Sequence, residues 1–462
     1  MRPKEAWGRV QPATTETGLE KPKDVFSRKP TGYPMWTEAM KAAIGLLRQT
    51  GRKWYSLYDK VIAPANLEAA WNRMNRRVTG KKRRQGAGVD GVTVAKFADQ
   101  AKANLRKLGE QLSTDRYSPS PVRRQYVPKP GSTKLRPLGL PTVRDRVVQE
   151  ACRSMIEPIF EAEFLNSSHG FRPERSVETA CVQVEQYLSE GKVWVVDLDI
   201  DKCYDSIPHD PLIDRVARRV ADGKVLDLIR RFLKSGVMEE MNIRHETTGT
   251  PQGGIISPVL ANIFLHDLDV ALEQRGTVWV RYADDVVALC QSREDAEQVL
   301  EFIRQFLAGL GLKLSPEKTR IVHLDEGFDY LGWHYQGTKR WPRKKSVDKL
   351  RHRLRAMTRR NRSGSLQSIC AELAPVQRGW FNFFRNGNSH SAFGTLDKWL
   401  RRRLRSLLRR RHKRQGISRG GPDHRRWPNS YFAQHGFFSL MIHLGDFRSM
   451  PRQLGLFSTV GD

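Results

Sequence analysis

The sequence predicts an α+β protein in which a body of strands and helices is followed by an all-helical end. Three observations predict it. Residues 193–335 alternate β-branched apolar runs with helical patterns. Two of the runs, Val193-Trp-Val-Val-Asp197-Leu-Asp199 and Val278-Trp-Val-Arg-Tyr282, have the length and composition of strands. Beyond Arg340 the apolar residues recur only at helical spacing, as Val347, Leu350, Leu354 and Met357, then as Leu396, Trp399, Leu400, Leu404, Leu407 and Leu408.

Taken in order, residues 1–62 read as an extension with one short helix over Thr37–Leu47. Asn66–Arg77 is helical in pattern, and Gly86-Ala-Gly-Val-Asp-Gly91 is a turn-rich loop. A mixed region follows, with a basic, Pro- and Gly-punctuated segment over Pro121–Arg146. The 462 residues exceed what one core usually serves, so more than one domain is expected. Met1–Pro34 is polar and Pro-rich, without the apolar centre of a signal peptide, and no stretch has the apolar length of a membrane span. A cytoplasmic protein without a membrane partner is the expectation. Cys152, Cys181, Cys203, Cys290 and Cys370 are widely spaced and form no C-x-x-C pair, which argues against a disulfide framework and a cysteine zinc site.

A formal charge of +30 points to a polyanionic partner, because so many cations repel one another unless neutralised. The excess is concentrated. Between Arg340 and Arg426 stand 26 lysines and arginines against Asp348, Glu372, Asp397 and Asp423. One predicted helix carries Arg401, Arg402, Arg403, Arg405, Arg409, Arg410 and Arg411 between its leucines. A merely solvated face usually mixes signs, so a nucleic-acid contact is the expectation for this one.

Chemistry is read from the acids. On a strand, Asp197 and Asp199 project from the same face. Farther on, Tyr282-Ala-Asp284-Asp285 lies between two β runs, the shape of a hairpin with acids at its turn. Adjacent carboxylates repel one another and resist desolvation, so a cation favours their retention. Two Mg²⁺ ions about 3.5–4 Å apart are a common arrangement for phosphoryl transfer, and hard oxygen ligands suit them. The alternative is a polar turn with no further role.

Tyr282-Ala-Asp-Asp285 resembles the catalytic box of reverse transcriptases, and Asp199-Ile-Asp-Lys-Cys-Tyr204-Asp-Ser-Ile resembles their first carboxylate motif. With His169-Gly-Phe-Arg-Pro173, Gly249-Thr-Pro-Gln-Gly-Gly254, Glu317-Lys-Thr319 and Tyr330-Leu-Gly-Trp333 in order, the chain resembles the reverse transcriptase and maturase encoded by bacterial group II introns. The resemblance runs from about Met35 to Leu440 and implies a right-hand polymerase: fingers over 63–192, a palm over 193–340, and a helical thumb, the maturase domain X, over 341–414. Residues 415–462 would be a short nucleic-acid-binding tail.

The resemblance also implies roles. Asp199, Asp284, Asp285 and the Ile200 carbonyl would bind two Mg²⁺ ions. Tyr204 matches an aromatic gate against a ribose 2′-hydroxyl, with a core tyrosine as the alternative. Lys129 and Arg136 would hold the triphosphate; for these, as for Arg123 and Lys134, contact with the template backbone stays open. Gln252 would lie beside the nascent base pair, Lys318 would support the nucleotide site, and Tyr330–Trp333 would position the primer end; plain packing is the alternative for each. Gly379-Trp-Phe-Asn-Phe-Phe-Arg385 resembles the aromatic box of domain X, whose aromatics would be mostly core, with Arg385 reaching RNA. The implied partners are group II intron RNA, an RNA template with a DNA or RNA primer, target DNA and deoxynucleoside triphosphates.

One departure stands out. Many relatives carry a C-terminal endonuclease with paired cysteines, whereas no cysteine follows Cys370, and His412, His424, His435 and His443 lack partners at ligand spacing, so none is expected here. Two rivals remain: a binder that only stabilises intron RNA, against which the intact acids argue, and a host-adopted relative in phage defence or repair.

Overall fold

The computed structural model describes residues 53–78, 85–128, 135–239, 242–244, 248–249, 253–413, 416 and 420–449; the helix expected over Thr37–Leu47 lies outside them. The first helices are α1 (Tyr58–Ile62) and α2 (Pro64–Arg77), the second started by a proline whose missing N–H costs nothing in a first turn. Next come α3 (Val94–Asp99), capped by the Thr93 hydroxyl, and α4 (Ala101–Ser113). The Pro/Gly-punctuated segment forms an antiparallel pair, β1 (Val122–Pro128) and β2 (Leu135–Leu140). After it runs α5 (Val143–Glu161), buried along most of its length and capped by Thr142, and then α6 (Val177–Ser189), opened by a reciprocal Ser176–Thr179 capping box.

The acid-bearing part begins with β3 (Trp194–Asp199), followed by α7 (Cys203–Ser206), α8 (His209–Ala217), α9 (Gly223–Lys234), β4 (Val237–Glu239) and β5 (Asn242–Arg244). The buried α10 (Ser257–Gln274) leads into β6 (Val278–Tyr282), β7 (Asp285–Cys290), α11 (Arg293–Gly309) and β8 (Arg320–His323). A small sheet of β9 (Phe328–Tyr330), β10 (Trp333–Gln336) and β11 (Lys339–Pro342) precedes the helical end: α12 (Lys344–Met357), α13 (Leu366–Phe384), α14 (His390–Arg411), α15 (Gly420–Arg426), α16 (Asn429–Gln434) and α17 (Leu440–Ser449).

Among the described residues there are three sheets, ordered β2-β1-β4-β5, β6-β7-β3-β8 and β11-β10-β9. In the second, every neighbouring pair is antiparallel. Its alternation feeds two cores. Val196, Leu198, Val286, Ala288 and Cys290 face a core shared with α1–α5 and α7–α11. Val195, Val280, Val287 and Leu289 face a second core with α6, β9, β10, α12–α14, α16 and α17. Asp197, Asp199 and Asp285 continue the rows of Val195 and Val287, so along these strands the second face passes from apolar packing to carboxylate. The last two helices belong to this second core through Phe432, Leu440 and Leu444, joined by Trp427 and Phe438 from the connections before them. The expected separate tail is therefore, over its described part, packed into the helical end. Asp397 of α14 fastens it, accepting bonds from Leu440 N and Met441 N, each at 3.2 Å, at the start of α17.

Candidate active site

Register builds the site. Tyr282 pairs with Asp285 across the β6–β7 hairpin, which leaves Ala283-Asp284 as a two-residue turn. Ala283 has φ +60°, a conformation that costs a residue with a Cβ about 1–2 kcal/mol. The surroundings hold it there. Arg281 is fully buried and ion-paired to the equally buried Asp269; its Nη1 donates to Asn262 Oδ1 at 2.9 Å and to the Ala283 carbonyl at 3.1 Å. Asn262 Nδ2 donates in turn to Gly170 O at 2.8 Å. A Cβ on Gly170 would stand 2.3 Å from Ala283 N, so only glycine lets this loop lie against the turn. The outer edge of β6 is bonded as well: His169 N donates to Arg281 O at 2.8 Å, and Arg281 N to Ser167 O at 2.7 Å.

Asp199 pairs with Asp285 between β3 and β7, bringing Asp199, Asp284 and Asp285 to one end of the sheet. Lys318 Nζ lies 2.6 Å from Asp199 Oδ2, and Arg320 Nε 3.1 Å from Asp197 Oδ2. These cations do not cancel the crowding. Asp285 retains accessible surface, yet the protein packed around it, followed by the charges of Asp284, Asp199 and Asp197, pushes its carboxyl up to about 6, with Lys318 opposing. Asp197 is also raised, first by burial. Ile200 bridges to Leu314 through the polar groups of its neighbours, Ser315 N to Asp199 O and Asp201 N to Lys313 O, so that bridge does not consume the Ile200 carbonyl. Among the described residues, no group of three His, Cys, Asp or Glu side chains stands close enough to hold a metal as placed. The donor set is nevertheless all oxygen, mutually repulsive and partly accessible, which fits a hard divalent cation.

The other expected positions fall unevenly. Tyr204 on α7 is half-buried against the first core, and neighbouring Cys203 is an inert thiol pushed up to about 12 by burial. Lys129, Lys134 and Gln252 lie outside the described residues. Arg136 is placed by its backbone only, opposite Val127, while Arg123 is exposed on β1. Gly253 packs on β2, where a Cβ would stand 2.4 Å from Gly139 O. Tyr330 and Trp333 are buried in the second core.

The arginine helix requires a correction. Arg402 is exposed as expected, but Arg405 and Arg409 are only 5% and 9% accessible. Arg405 donates to Trp427 O at 2.9 Å and Asn429 Oδ1 at 3.0 Å, and Arg409 pairs with Asp423 at 3.0 Å. Arg401 reaches Asp397 and Ser439 and lies over the Phe437 ring. Arg385 is half-buried over Phe447. Spacing could not separate these arginines, because α15–α17 fold back over the face that carries Arg405 and Arg409. Arg281, Asp269 and Asn262 escaped sequence reasoning as well; the available signal was one arginine inside an otherwise apolar strand.

Residues 127–335 match the family model described as reverse transcriptase (RNA-dependent DNA polymerase), and 347–427 match the group II intron maturase-specific domain. Protein YkfC of Escherichia coli is 34% identical over 284 residues, covering 53% of this chain and 74% of that protein. The chain belongs to the group II intron reverse transcriptase and maturase family. The group II intron-encoded protein LtrA of Lactococcus lactis is 32% identical over 314 residues; the match covers 54% of this chain and about half, 52%, of LtrA. Nuclear intron maturase 1 of Arabidopsis thaliana is 36% identical over 94 residues, 20% of this chain and 13% of that protein. A chain of a partial Cas6-RT-Cas1–Cas2 complex covers 55% of this chain and 42% of its own at 24% identity and a TM-score of 0.34, an overlap too slight to inform the fold. This family member thus carries an RNA-directed DNA polymerase domain followed by a maturase-specific one. No helix among the described residues is long and apolar enough to cross a membrane.

Proposed function

We propose that the protein copies intron RNA into DNA at the end of the β6-β7-β3-β8 sheet and grips the folded intron through its helical end, assisting splicing and mobility. The observation that carries this reading is the register that sets Asp199 beside Asp285, with Asp284 on the adjoining turn. In the right-hand description, fingers span 63–192, the palm 193–340 and the thumb 341–414. Asp199, Asp284, Asp285 and the Ile200 carbonyl are the residues that would hold Mg²⁺. Bound there, a pair of ions would supply charge neutralisation at the attacking and leaving oxygens.

The chain's own groups do the rest. The turn held by Arg281 presents Asp284 without reorganisation at the moment of reaction. Lys318, already beside Asp199, is an exposed cation for the phosphates of the incoming deoxynucleotide. Lys129 and Arg136 are proposed for the same phosphates, Gln252 for the nascent pair, and Tyr204 for exclusion of a 2′-hydroxyl. Arg402 on α14, with Arg123 on β1, is proposed to contact RNA, template or target DNA.

The test is primer extension on an RNA template in Mg²⁺ with Asp199→Ala and Asp284→Ala. Each should lower the rate by roughly a thousandfold or more, as expected when a metal-centred site loses a ligand. The Asp284→Ala, Asp285→Ala double variant should still promote splicing of its cognate intron, because gripping RNA needs no metal held by the protein. Extension by either single variant at the parental rate overturns the assignment.

A further inference from the structure

The loop behind the catalytic turn is fastened at nearly every residue. The His169 ring lies between Thr179 Oγ1 at 2.9 Å and Gln183 Oε1 at 2.6 Å. Gly170 is wedged on Ala283, and Arg172 is buried, pairing with Glu161 and donating to the Ser168 carbonyl at 2.6 Å. Between these anchors Phe171 does the opposite. Its backbone is left-handed, φ +58°, a genuine outlier for a bulky residue, and the residue is 54% exposed. The ring stands 6.4 Å from that of Tyr282, the half-buried residue that opens the Ala283-Asp284 turn. Strain that the neighbours over-determine, spent on holding an apolar ring in water beside a reactive centre, marks a contact rather than packing.

We propose that Phe171, with Tyr282, forms an aromatic shelf for the 3′-terminal nucleotide of the primer. Position on the sheet selects this occupant, given the polymerase reading above. In the order β6-β7-β3-β8, Lys318 lies at the β3 and β8 side, against Asp199, whereas Phe171 lies beyond β6 at the opposite edge. If phosphates of the incoming nucleotide leave toward Lys318, the attacking hydroxyl must come in line from the other side, past the acids. That is the β6 side. Chemistry agrees: an apolar ring offers a phosphate no donor, whereas a sugar or base presents faces that an aromatic ring can cover.

Phe171→Gly is the variant of choice, because glycine adopts φ +58° freely and the anchors on either side stay in place. In the full-length protein, the dissociation constant of a DNA-primed RNA template, measured by fluorescence anisotropy without nucleotide, should rise roughly tenfold, the effect typical of removing one aromatic ring from beneath a base. The KM for deoxynucleotide should change less than about twofold, and Phe171→Tyr should retain parental affinity. Should the glycine variant fold poorly, Phe171→Asn, which also tolerates a left-handed backbone, carries the same reading. Parental primer–template affinity in the folded variant overturns the shelf. So does a raised nucleotide KM with unchanged binding, which would turn the ring toward the incoming nucleotide. A wild-type chain that extends no primer contradicts the polymerase reading instead, and the binding measurement still decides the shelf.

Discussion

At the end of β3 and β7 three carboxylates gather, and the nearby cations leave Asp285 shifted up to about 6. Along α14 arginines gather at similar density, yet the buried and half-buried ones have partners: Arg409 has Asp423, Arg401 has Asp397 and Ser439, and Arg405 has the Trp427 carbonyl and Asn429. Both regions look alike as runs of one sign. The difference lies in what each charge meets. Burying an unpaired charge costs several kcal/mol, so a charge taken inside for structure brings its partner with it. A site that must receive a cation or a phosphate keeps its charges unbalanced and reachable. The contrast teaches that charge density alone does not mark function; the residual imbalance does.

The contrast is strongest at Arg281 and Asp269, a fully matched pair directly behind the crowded acids. Asp269→Asn or Arg281→Met should destabilise the protein by about 3–5 kcal/mol in urea unfolding, since each strands a buried charge. Extension should fall too, because Arg281, the anchor of the Ala283 carbonyl, is removed in one variant and left without its carboxylate in the other. The double variant Arg281→Met, Asp269→Leu sharpens the point: stability should largely return while extension stays low. Full recovery of extension would show that the pair serves packing alone.

His169 stands between the two regimes as a titratable ring kept neutral. Burial lowers its pKa from the ordinary 6.5 to about 4, against the help of Gln183. The unfolded chain therefore binds more protons between pH 6.5 and 4, and the stability tied to the neutral ring is complete above 6.5 and lost as pH falls through 4. It amounts to up to about 3 kcal/mol. With His169→Gln the gap to the parent protein, measured by chemical denaturation, should narrow as pH drops from 7 to 4. A gap independent of pH would mean that the ring takes up its proton without disturbance.

The smallest effects are expected at the surface. Arg402→Glu with Arg410→Glu should leave stability within about 0.5 kcal/mol, yet flatten the salt dependence of RNA affinity by roughly 0.7–0.9 in the log–log slope for each phosphate no longer neutralised. Arg409→Ala should do the reverse, costing about 3 kcal/mol or more with the slope of the folded fraction unchanged. Equal slopes for the parent and the Arg402, Arg410 variant would remove this face of α14 from the RNA-binding surface.

Several features were legible because they are local. Strand alternation put Asp197 and Asp199 on one face, the Ala283-Asp284 dipeptide between two β runs announced its own hairpin, and the leucine spacing of α14 gave a helix. Each depends on residues a few positions apart, where backbone geometry sets the outcome. That Asp199 and Asp285, 86 positions apart, share a site was implied only by family likeness; the register that pairs them is fixed by both faces of the sheet being buried, so that a slip of one residue would turn every side chain over. What no local pattern could supply was the sorting of the arginines and the scaffold behind the turn. Arg405 and Arg402 are equivalent as sequence. They part because α15–α17 return across one face of α14, bringing Asn429 and the Trp427 carbonyl to the first and leaving water around the second. Arg281, likewise, acquires its meaning from Asp269, 12 positions earlier on another element. The physical reason is the same in both cases: a guanidinium can be buried only where partners converge, and convergence belongs to the packed chain.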